Sequence, residues 1–353
     1  MAQNTIFSGR QFQVYVNNDD TTSGVGTLNA LTNATWKQID VDSVSFPSFS
    51  PIQEFEMRTG SGRVAEFDNV YTTDKRVTTE FSLSGRVDHI LLPILVESVT
   101  GIAAASDKVT IASGYEPASL LRAASVAEGD YEKSLSFYFA APTNSDSYKL
   151  KGCVCTSLTL SADMDTASGR FQFDATFQTQ DPVSKGAIST TNFTGLGSRN
   201  QCYLSDMTTK SITLAGSVSE SAIDALWTSC SFSIEQPTQF LGTTGTDAEC
   251  EVIARGLPET VFTMSGTVKY DANTDQIVES FRAANSDNAV AIHIANDPEN
   301  SNTFSTSATS IGFDINKGKF TSAEVNPDDL AMVSFEVKAL DDGTNPVAAI
   351  LIA

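Results

Sequence analysis

The chain has 353 residues, of which 41% are hydrophobic and 18% charged, and its formal net charge is −21, with 43 acidic against 22 basic residues. This length is enough for two domains, each with its own core. The shortage of Lys and Arg argues against a surface that grips nucleic acid, because phosphate contacts need basic side chains. Abundant Ser and Thr predict many short strands.

Two features bear on the compartment in which the chain is made. The N-terminal residues MAQNTIFSGRQF lack a basic region followed by an apolar core, so no secretory signal is expected. The longest apolar run, ILLPILV from Ile90, is too short to span a bilayer. The cysteines are Cys153, Cys155, Cys202, Cys230 and Cys250. Such an odd and sparse set is typical of a reducing cytoplasm and predicts structural roles.

Five sequence blocks follow one another in the first half of the chain. DSVSFP begins at Asp42, the Gly-rich stretch RTGSGRVAEF begins at Arg58, and the motif strand TTEFSLSGRV runs over 78–87. FYFAAPTNS from Phe137 predicts a strand that ends in a turn. CTSLTLSADM then leads into RFQFDATFQ, whose alternating Phe residues predict a half-buried antiparallel strand.

The same five blocks recur in the same order in the second half. They are TSCSFS from Thr228, LGTTGTDAEC from Leu241, ETVFTMSGTV from Glu259, IHIANDPENS from Ile292, and FTSAEVNPDD leading into MVSFEV. In the motif strands, Thr79, Phe81, Ser84, Gly85 and Val87 align with Thr260, Phe262, Ser265, Gly266 and Val268. In the first block, Ser43, Ser45 and Phe46 align with Ser229, Ser231 and Phe232. This recurrence predicts a tandem duplication.

A helix is predicted directly after each motif strand. The first covers about 88–98, with Pro93 in its first turn or at a kink, and the second covers about 274–284, with Thr274 as N-cap. The predicted fold class is mainly β, with two tandem antiparallel β-sandwich or barrel domains that each carry one flanking α-helix. The first domain covers 1–185 with an insertion near 101–132, the linker 186–200, and the second domain 201–353.

The sequence offers no catalytic constellation. Neither His89 nor His293 stands at a recognisable spacing from a nucleophile or a carboxylate. GFDINKGKF from Gly312 resembles a phosphate loop, but it has one residue too many between its glycines and Phe320 after its lysine, so we interpret it as a turn before a strand. Acidic pairs such as Asp40 and Asp42 lack the EF-hand pattern. We therefore predict neither an enzyme nor a bound cofactor or metal.

The order of strand, Gly-rich loop, TxFSxSGxV strand, helix, hairpin and TSLTL…FQFDATF resembles the major tail tube proteins of long-tailed, siphovirus-like bacteriophages. The most similar stretch is GCVCTSLTLSADMDTASGRFQFDATFQTQDP, residues 152–182. The resemblance covers about 40–182 and again about 228–353, and residues 1–35 have no place in it. It implies two tail-tube-like domains in a structural virion protein, assembled in the host cytoplasm.

The resemblance also implies partners. Further copies of the chain form rings that stack into the tail tube, and the tape measure, tail terminator and distal tail proteins complete the tail. DNA passes through an electronegative lumen without specific binding, and no membrane is involved. Many family members carry a single tube domain and assemble as hexamers, so a doubled domain predicts a trimeric ring, with a hexamer as the alternative.

In that family a long loop ahead of the motif strand stacks one ring on the next. Both Gly-rich stretches stand at this place, and Gly permits the backbone conformations of protruding loops. The resemblance therefore implies that they carry ring-to-ring contacts. The candidate residues are Arg58, Thr59, Gly60, Ser61, Gly62, Arg63, Leu241, Gly242, Thr243, Thr244 and Gly245.

Two other classes of protein remain open at this stage. A virion surface or adhesion protein made of two immunoglobulin-like β-sandwiches would lack a helix after the motif strand and would expose aromatic or basic loops to a ligand. A carbohydrate-active or metal-dependent β-sandwich enzyme would need paired carboxylates or histidines on facing strands.

Overall fold

The computed structural model describes residues 12–18, 36–45, 52–55, 70–74, 79–102, 104, 108–117, 120–121, 134–142, 146–179, 183–186, 193–194, 202–207, 209–214, 222–241, 252–256, 258–283, 289–295, 311–327 and 330–351. Within these residues the chain is mainly antiparallel β-structure with two α-helices. The predicted mainly-β fold class is thereby confirmed. Below, the first half means residues 12–194 and the second half means residues 202–351.

The elements follow in chain order. The strands of the first half are β1 Gln13–Asn18, β2 Trp36–Ile39, β3 Val41–Val44, β4 Ile52–Phe55, β5 Val70–Asp74, β6 Thr79–Arg86, β7 Lys108–Ile111, β8 Leu120–Leu121, β9 Leu135–Ala140, β10 Tyr148–Asp163, β11 Gln172–Thr179, β12 Ser184–Lys185 and β13 Phe193–Thr194. Those of the second half are β14 Thr209–Leu214, β15 Ala222–Asp224, β16 Trp227–Glu235, β17 Thr238–Leu241, β18 Val252–Arg255, β19 Val261–Lys269, β20 Val290–Ala295, β21 Gly312–Asn326, β22 Met332–Ala339 and β23 Ala348–Leu351. The helices are α1 Leu91–Thr100 and α2 Asp275–Ala283.

Eight strands from both halves form one continuous antiparallel sheet, which we call the central sheet. Its order is β3-β6-β11-β10-β16-β19-β22-β21. Along each strand apolar and polar residues alternate, so that Phe81 and Leu83 of β6 are buried whereas Ser82 and Ser84 are partly exposed. One face of the central sheet therefore covers the core and the other is polar.

Two smaller sheets cover the core side of the central sheet. Their orders are β13-β2-β1-β9-β10-β12 and β15-β14-β20-β21-β23-β7. Aromatic rings join the layers, with Phe81 of β6 5.1 Å from Phe137 of β9 and Phe232 of β16 5.1 Å from Phe313 of β21, centroid to centroid. Each half is thus a sandwich, and the apolar core between its sheets provides most of its stability.

The long strands β10 and β21 pass from a small sheet into the central sheet, and they do so in the same way. Each has one irregularity where it leaves the small sheet and a second one at a bulged threonine, Thr156 or Thr321. The Thr156 hydroxyl donates to the carbonyl oxygen of Thr176 (3.2 Å), and the Thr321 hydroxyl donates to the Glu336 carboxylate and lies 3.4 Å from the Glu336 carbonyl oxygen. A bulge bends a strand, which lets one strand serve two sheets.

The strand order of the first half recurs in the second. The pairing β2-β1-β9-β10-β11-β6-β3 has its counterpart in β15-β14-β20-β21-β22-β19-β16. Within residues 1–35, which the sequence left without a place, β1 occupies the position that β14 holds in the second half. The two halves therefore share their pairing order as well as the sequence blocks.

One part of the sequence alignment is wrong by two residues. Ser43 of β3 pairs with Ser84, and Ser231 of β16 pairs with Ser265, which is the counterpart of Ser84 in the motif strand. Ser43 therefore corresponds to Ser231, whereas the sequence alignment matched it to Ser229. A shift of two residues leaves every side chain on the same face, so the alternating pattern does not reveal it.

The motif glycines Gly85 and Gly266 lie where another strand crosses at van der Waals distance. Gly85 pairs with Phe173, and Gly266 pairs with Phe335. A Cβ on Gly85 would lie 2.0 Å from the backbone oxygen of Asp40, just before β3. A Cβ on Gly266 would lie 2.2 Å from the indole ring at the start of β16. Close packing of the neighbouring strand explains why both motif strands keep glycine here.

Both predicted helices are present, with shifted ends. α1 begins at Leu91 and places Pro93 in its first turn, where a missing N–H costs nothing. The Asp88 carboxylate accepts hydrogen bonds from the N–H groups of Ile90 and Leu91, both at 2.9 Å. Thr274 directly precedes α2, but its hydroxyl accepts the N–H of Asp271 (2.7 Å), so the predicted N-cap bond to the first turn is replaced by a bond to the preceding turn.

The predicted insertion near 101–132 joins the two halves. Its strand β7 pairs with β23, and its strand β8 pairs with β18. The Asp341 carboxylate accepts the Ser113 hydroxyl (2.7 Å) and the N–H of Gly114 (2.6 Å). These contacts connect the two halves in addition to the β10–β16 pairing.

Candidate assembly interface

The central sheet ends in two strands that each have one partner. Among the residues that the structure describes, β3 pairs only with β6, and the part of β21 beyond the bulge at Thr321 pairs only with β22. Ser43 on one edge and Glu324 and Asn326 on the other are exposed. An unpaired strand edge offers backbone N–H and C=O groups to another strand, so both edges are sites for sheet extension.

The pairing of β10 with β16, which we call the internal junction, shows how two halves join edge to edge. Its antiparallel register runs from Ser157 opposite Glu235 to Asp163 opposite Ser229. At its centre Leu160 stands opposite Phe232, and both side chains are buried. Backbone groups and apolar side chains therefore both contribute to this contact.

The two outer edges correspond to the two strands of the internal junction. Val325 lies at the same distance along the chain from Thr321, the bulged threonine of β21, as Leu160 does from Thr156, the bulged threonine of β10. Val44 pairs with Leu83, as Phe232 pairs with Met264. If a β21 edge meets a β3 edge as β10 meets β16, Val325 comes to lie opposite Val44.

The backbone of β3 is oriented for this contact. Ser45 N–H donates to the carbonyl oxygen of Ser82 at 3.0 Å, so Ser45 faces β6. In an antiparallel pair, the backbone groups of successive residues point to opposite sides of the strand. The N–H and C=O of Val44 therefore point away from β6, toward the open edge.

The exposed side of the central sheet, which we call the polar face, consists mainly of hydroxyl and amide side chains. Its carboxylates are Glu80, Asp163, Asp174, Glu235, Glu324 and Glu336, and its basic residues are Arg86, Lys269, Lys319 and Lys338. Two of the basic groups are already paired, Arg86 with Asp40 (3.6 Å) and Lys338 with Glu259 (2.7 Å). The polar face thus has a small acidic excess on a largely neutral, hydroxyl-rich surface.

The loop residues that the resemblance singled out fall almost entirely outside the described residues. Leu241 is the last residue of β17, whereas 58–63 and 242–245 lie outside that part of the chain. The strands around them are described. β4 pairs with β5 and β17 pairs with β18, so each Gly-rich stretch connects the two strands of a hairpin.

The described residues hold no group of three or more His, Cys, Asp or Glu side chains that could bind a metal ion. His293 lies on the partly exposed side of β20, with Nδ1 3.8 Å from an Asp314 oxygen. The segment from Gly312 belongs to strand β21, so its interpretation as a turn before a strand is wrong. Burial raises the pKa of Cys155 and of Cys230 to about 12, which keeps both thiols protonated at neutral pH.

Comparisons with known proteins give no family for this chain, because no family model and no curated protein sequence matches it. In the part of the chain that the structure describes, no helix has the length and apolar character needed to cross a membrane. The edges and faces of the central sheet are therefore the features from which a function can be inferred.

Proposed function

We propose that the chain is a structural virion protein that joins further copies of itself through the edges of the central sheet, and that the resulting rings stack into a phage tail tube. The observation that carries this proposal is the correspondence between the open edges at β3 and β21 and the two strands of the internal junction. Because the two open edges of the chain match the two strands of its internal junction, one chain can pair head to tail with the next. Such a head-to-tail contact forms a ring when the rotation between successive chains closes the circle.

The favoured ring contains three chains. Each half contributes four strands to the central sheet and carries a helix after its motif strand, so both halves are suited to equivalent places in one ring. Joining two such units in one chain also makes every second contact intramolecular, which raises its effective concentration. The alternative is a ring of six chains in which only one half lines the channel.

The polar face is suited to line the channel. The smaller sheets pack on the opposite face of the central sheet, which leaves the polar face for the lumen. The polar face has hydroxyl groups, an excess of carboxylates and few Lys or Arg side chains. It therefore offers few contacts to the phosphates of duplex DNA, so DNA slides through without retention. In this proposal the ends of the tube meet the tape measure, tail terminator and distal tail proteins, and the chain resides in the virion tail.

Electron microscopy of the purified protein tests the proposal. We expect tubes or stacked rings, and a ring reconstruction should show three chains. Six whole chains per ring, with the second half projecting outward, would refute the trimer. Protein that stays monomeric would contradict the tube and favour the adhesion class, although the helices after both motif strands count against that class.

The channel should not retain DNA. Assembled tubes incubated with short duplex DNA at physiological salt should sediment without it, because few basic groups lie on the polar face. Reversing two charges there, Glu80→Lys with Asp174→Lys, should produce salt-dependent co-sedimentation. Glu279→Lys on the exposed side of α2 is the matched control and should not. Tight DNA binding by the unmodified tube at low salt would overturn the assignment of the lumen.

The Gly-rich hairpin connection of the first half should be needed for stacking. Deleting Thr59 to Gly62 should leave a folded subunit that closes rings but forms no tubes, because the deletion spares the edges of the central sheet. Circular dichroism and negative-stain microscopy measure the two properties. The equivalent deletion of residues 242–245 should give the same result. Unimpaired tube formation by both deletions would contradict a stacking role.

A further inference from the structure

A buried arginine stands at the place where the two halves meet. Arg255, the last residue of β18, is 4% exposed, and its Nη1 donates to the carbonyl oxygen of Ser98 in α1 (3.1 Å). Gln236, which is fully buried, lies at the end of the internal junction, where its N–H donates to the carbonyl oxygen of Thr156 (2.8 Å). The Tyr115 hydroxyl donates to the carbonyl oxygen of Thr100 at the same end of α1, and the N–H of Gly256 donates to the carbonyl oxygen of Pro237, so Tyr115, Arg255 and Gln236 lie in one region of the structure.

Most of the polar atoms in this region have no partner. Arg255 Nε and Nη2, both polar atoms of the Gln236 amide, and Ser98 Oγ make no hydrogen bond among the described residues. Leaving a buried donor unsatisfied costs roughly 1–3 kcal/mol for a neutral group and more for a charged one. Three of these atoms can only donate and one can only accept, so the region is rich in donors.

The region also carries an uncompensated positive charge. Burial lowers the pKa of Arg255 to about 10, so the guanidinium remains charged at neutral pH. Among the described residues, the two ionisable groups that act on it, Tyr115 and Cys155, supply no negative charge, because burial raises the pKa of each to about 12. The end of α1 offers only the partial negative charge of a helix C-terminus. A buried charge is strongly destabilising unless it is paired.

We propose that this region binds a small inorganic anion, such as a halide, through Nε and Nη2 of Arg255 and the amide of Gln236. The anion neutralises the guanidinium and satisfies donors that the protein leaves unpaired. It connects α1 of the first half, the end of the internal junction and the base of the β17–β18 hairpin. The bound anion therefore stabilises the arrangement of the two halves, whether or not the protein forms a tail tube.

Bromide tests this site directly. The purified full-length protein is unfolded thermally in sodium gluconate and in sodium bromide at the same ionic strength, and a bromide-soaked crystal is measured at the bromine absorption edge. We expect a higher midpoint temperature in bromide and an anomalous peak within hydrogen-bonding distance of Arg255. Gln236→Leu should weaken the apparent bromide affinity about tenfold, the effect of losing one hydrogen bond to a charged group.

Arg255→Met should abolish both effects, and Arg282→Met, which removes an exposed arginine of α2, should abolish neither. If Arg255→Met does not fold, the anomalous peak of the unmodified protein and the affinity of Gln236→Leu still decide the question. The proposal is overturned if the unmodified protein shows no peak at Arg255 and the same stability in both salts. Density showing only water, or a carboxylate of the chain itself, at the guanidinium would also overturn it.

Discussion

Replacing Val44 with proline is expected to abolish ring and tube formation while the subunit stays folded. The N–H of Val44 points to the open edge of the central sheet, and proline has no N–H to donate. The bond from Ser45 N–H to the Ser82 carbonyl, which holds β3 on β6, is not affected. Proline is tolerated in an edge strand for this reason. Size-exclusion chromatography with light scattering, together with negative-stain microscopy, measures the loss of assembly.

The same loss is expected for Val325→Pro on the opposite edge, because the two edges form one contact. Val44→Thr keeps the backbone donor and a β-branched side chain and is the matched control, which should still assemble. Circular dichroism separates an assembly defect from misfolding. Tubes formed by both folded proline variants would show that the edges of the central sheet are not the assembly contact.

A disulfide between chains tests the register of the contact. The internal junction pairs Ser161 with Ser231, and the corresponding outer residues are Asn326 and Ser43. Ser43→Cys with Asn326→Cys should therefore form disulfides between neighbouring chains under mild oxidation. Ser43→Cys with Glu324→Cys places the thiols two residues out of register, about 7–8 Å apart, and should cross-link poorly. Equal cross-linking by the two pairs would refute the register.

Gly85→Ala is expected to destabilise the subunit by about 3 kcal/mol, the upper part of the range for forcing an extra carbon into a packed region. The new Cβ would meet the backbone oxygen of Asp40 at 2.0 Å, and a backbone atom cannot move aside as a side chain can. β3 would have to leave β6, so the edge needed for assembly would be lost as well. The midpoint of urea unfolding measures the change in stability.

Gly266→Ala should destabilise the subunit by a smaller amount, about 1–2 kcal/mol. Its Cβ meets the indole ring of Trp227, a side chain that has some freedom to shift. Ser84→Ala is the matched control, because its side chain lies on the polar face and touches no packed strand, and its stability should be close to that of the unmodified protein. Equal stability of Gly85→Ala and Ser84→Ala would contradict the packing explanation for the motif glycine.

The sequence by itself determined that the chain is mainly β, and it identified the buried face of the strand after Arg170. Alternation in RFQFDATF placed Phe171, Phe173 and Phe177 in the core, where all three are almost fully buried. The blocks after the motif strands predicted both helices, because helical spacing of apolar residues is a local property. The recurrence of the blocks predicted a tandem duplication, and the strand orders of the two halves match over seven strands each.

Which strand lies beside which was decided only by the tertiary structure. Strand periodicity identifies the buried face but not the neighbour, and strand pairing in this fold joins residues far apart in sequence. The sequence therefore did not reveal the β10–β16 junction, the open edges at Val44 and Val325, or the place of β1. The sequence also indicated the Gly-rich loops, rather than the strand edges, as the sites of assembly. A strand is an edge because no other strand lies beside it in the folded protein, and no local pattern of residues shows this.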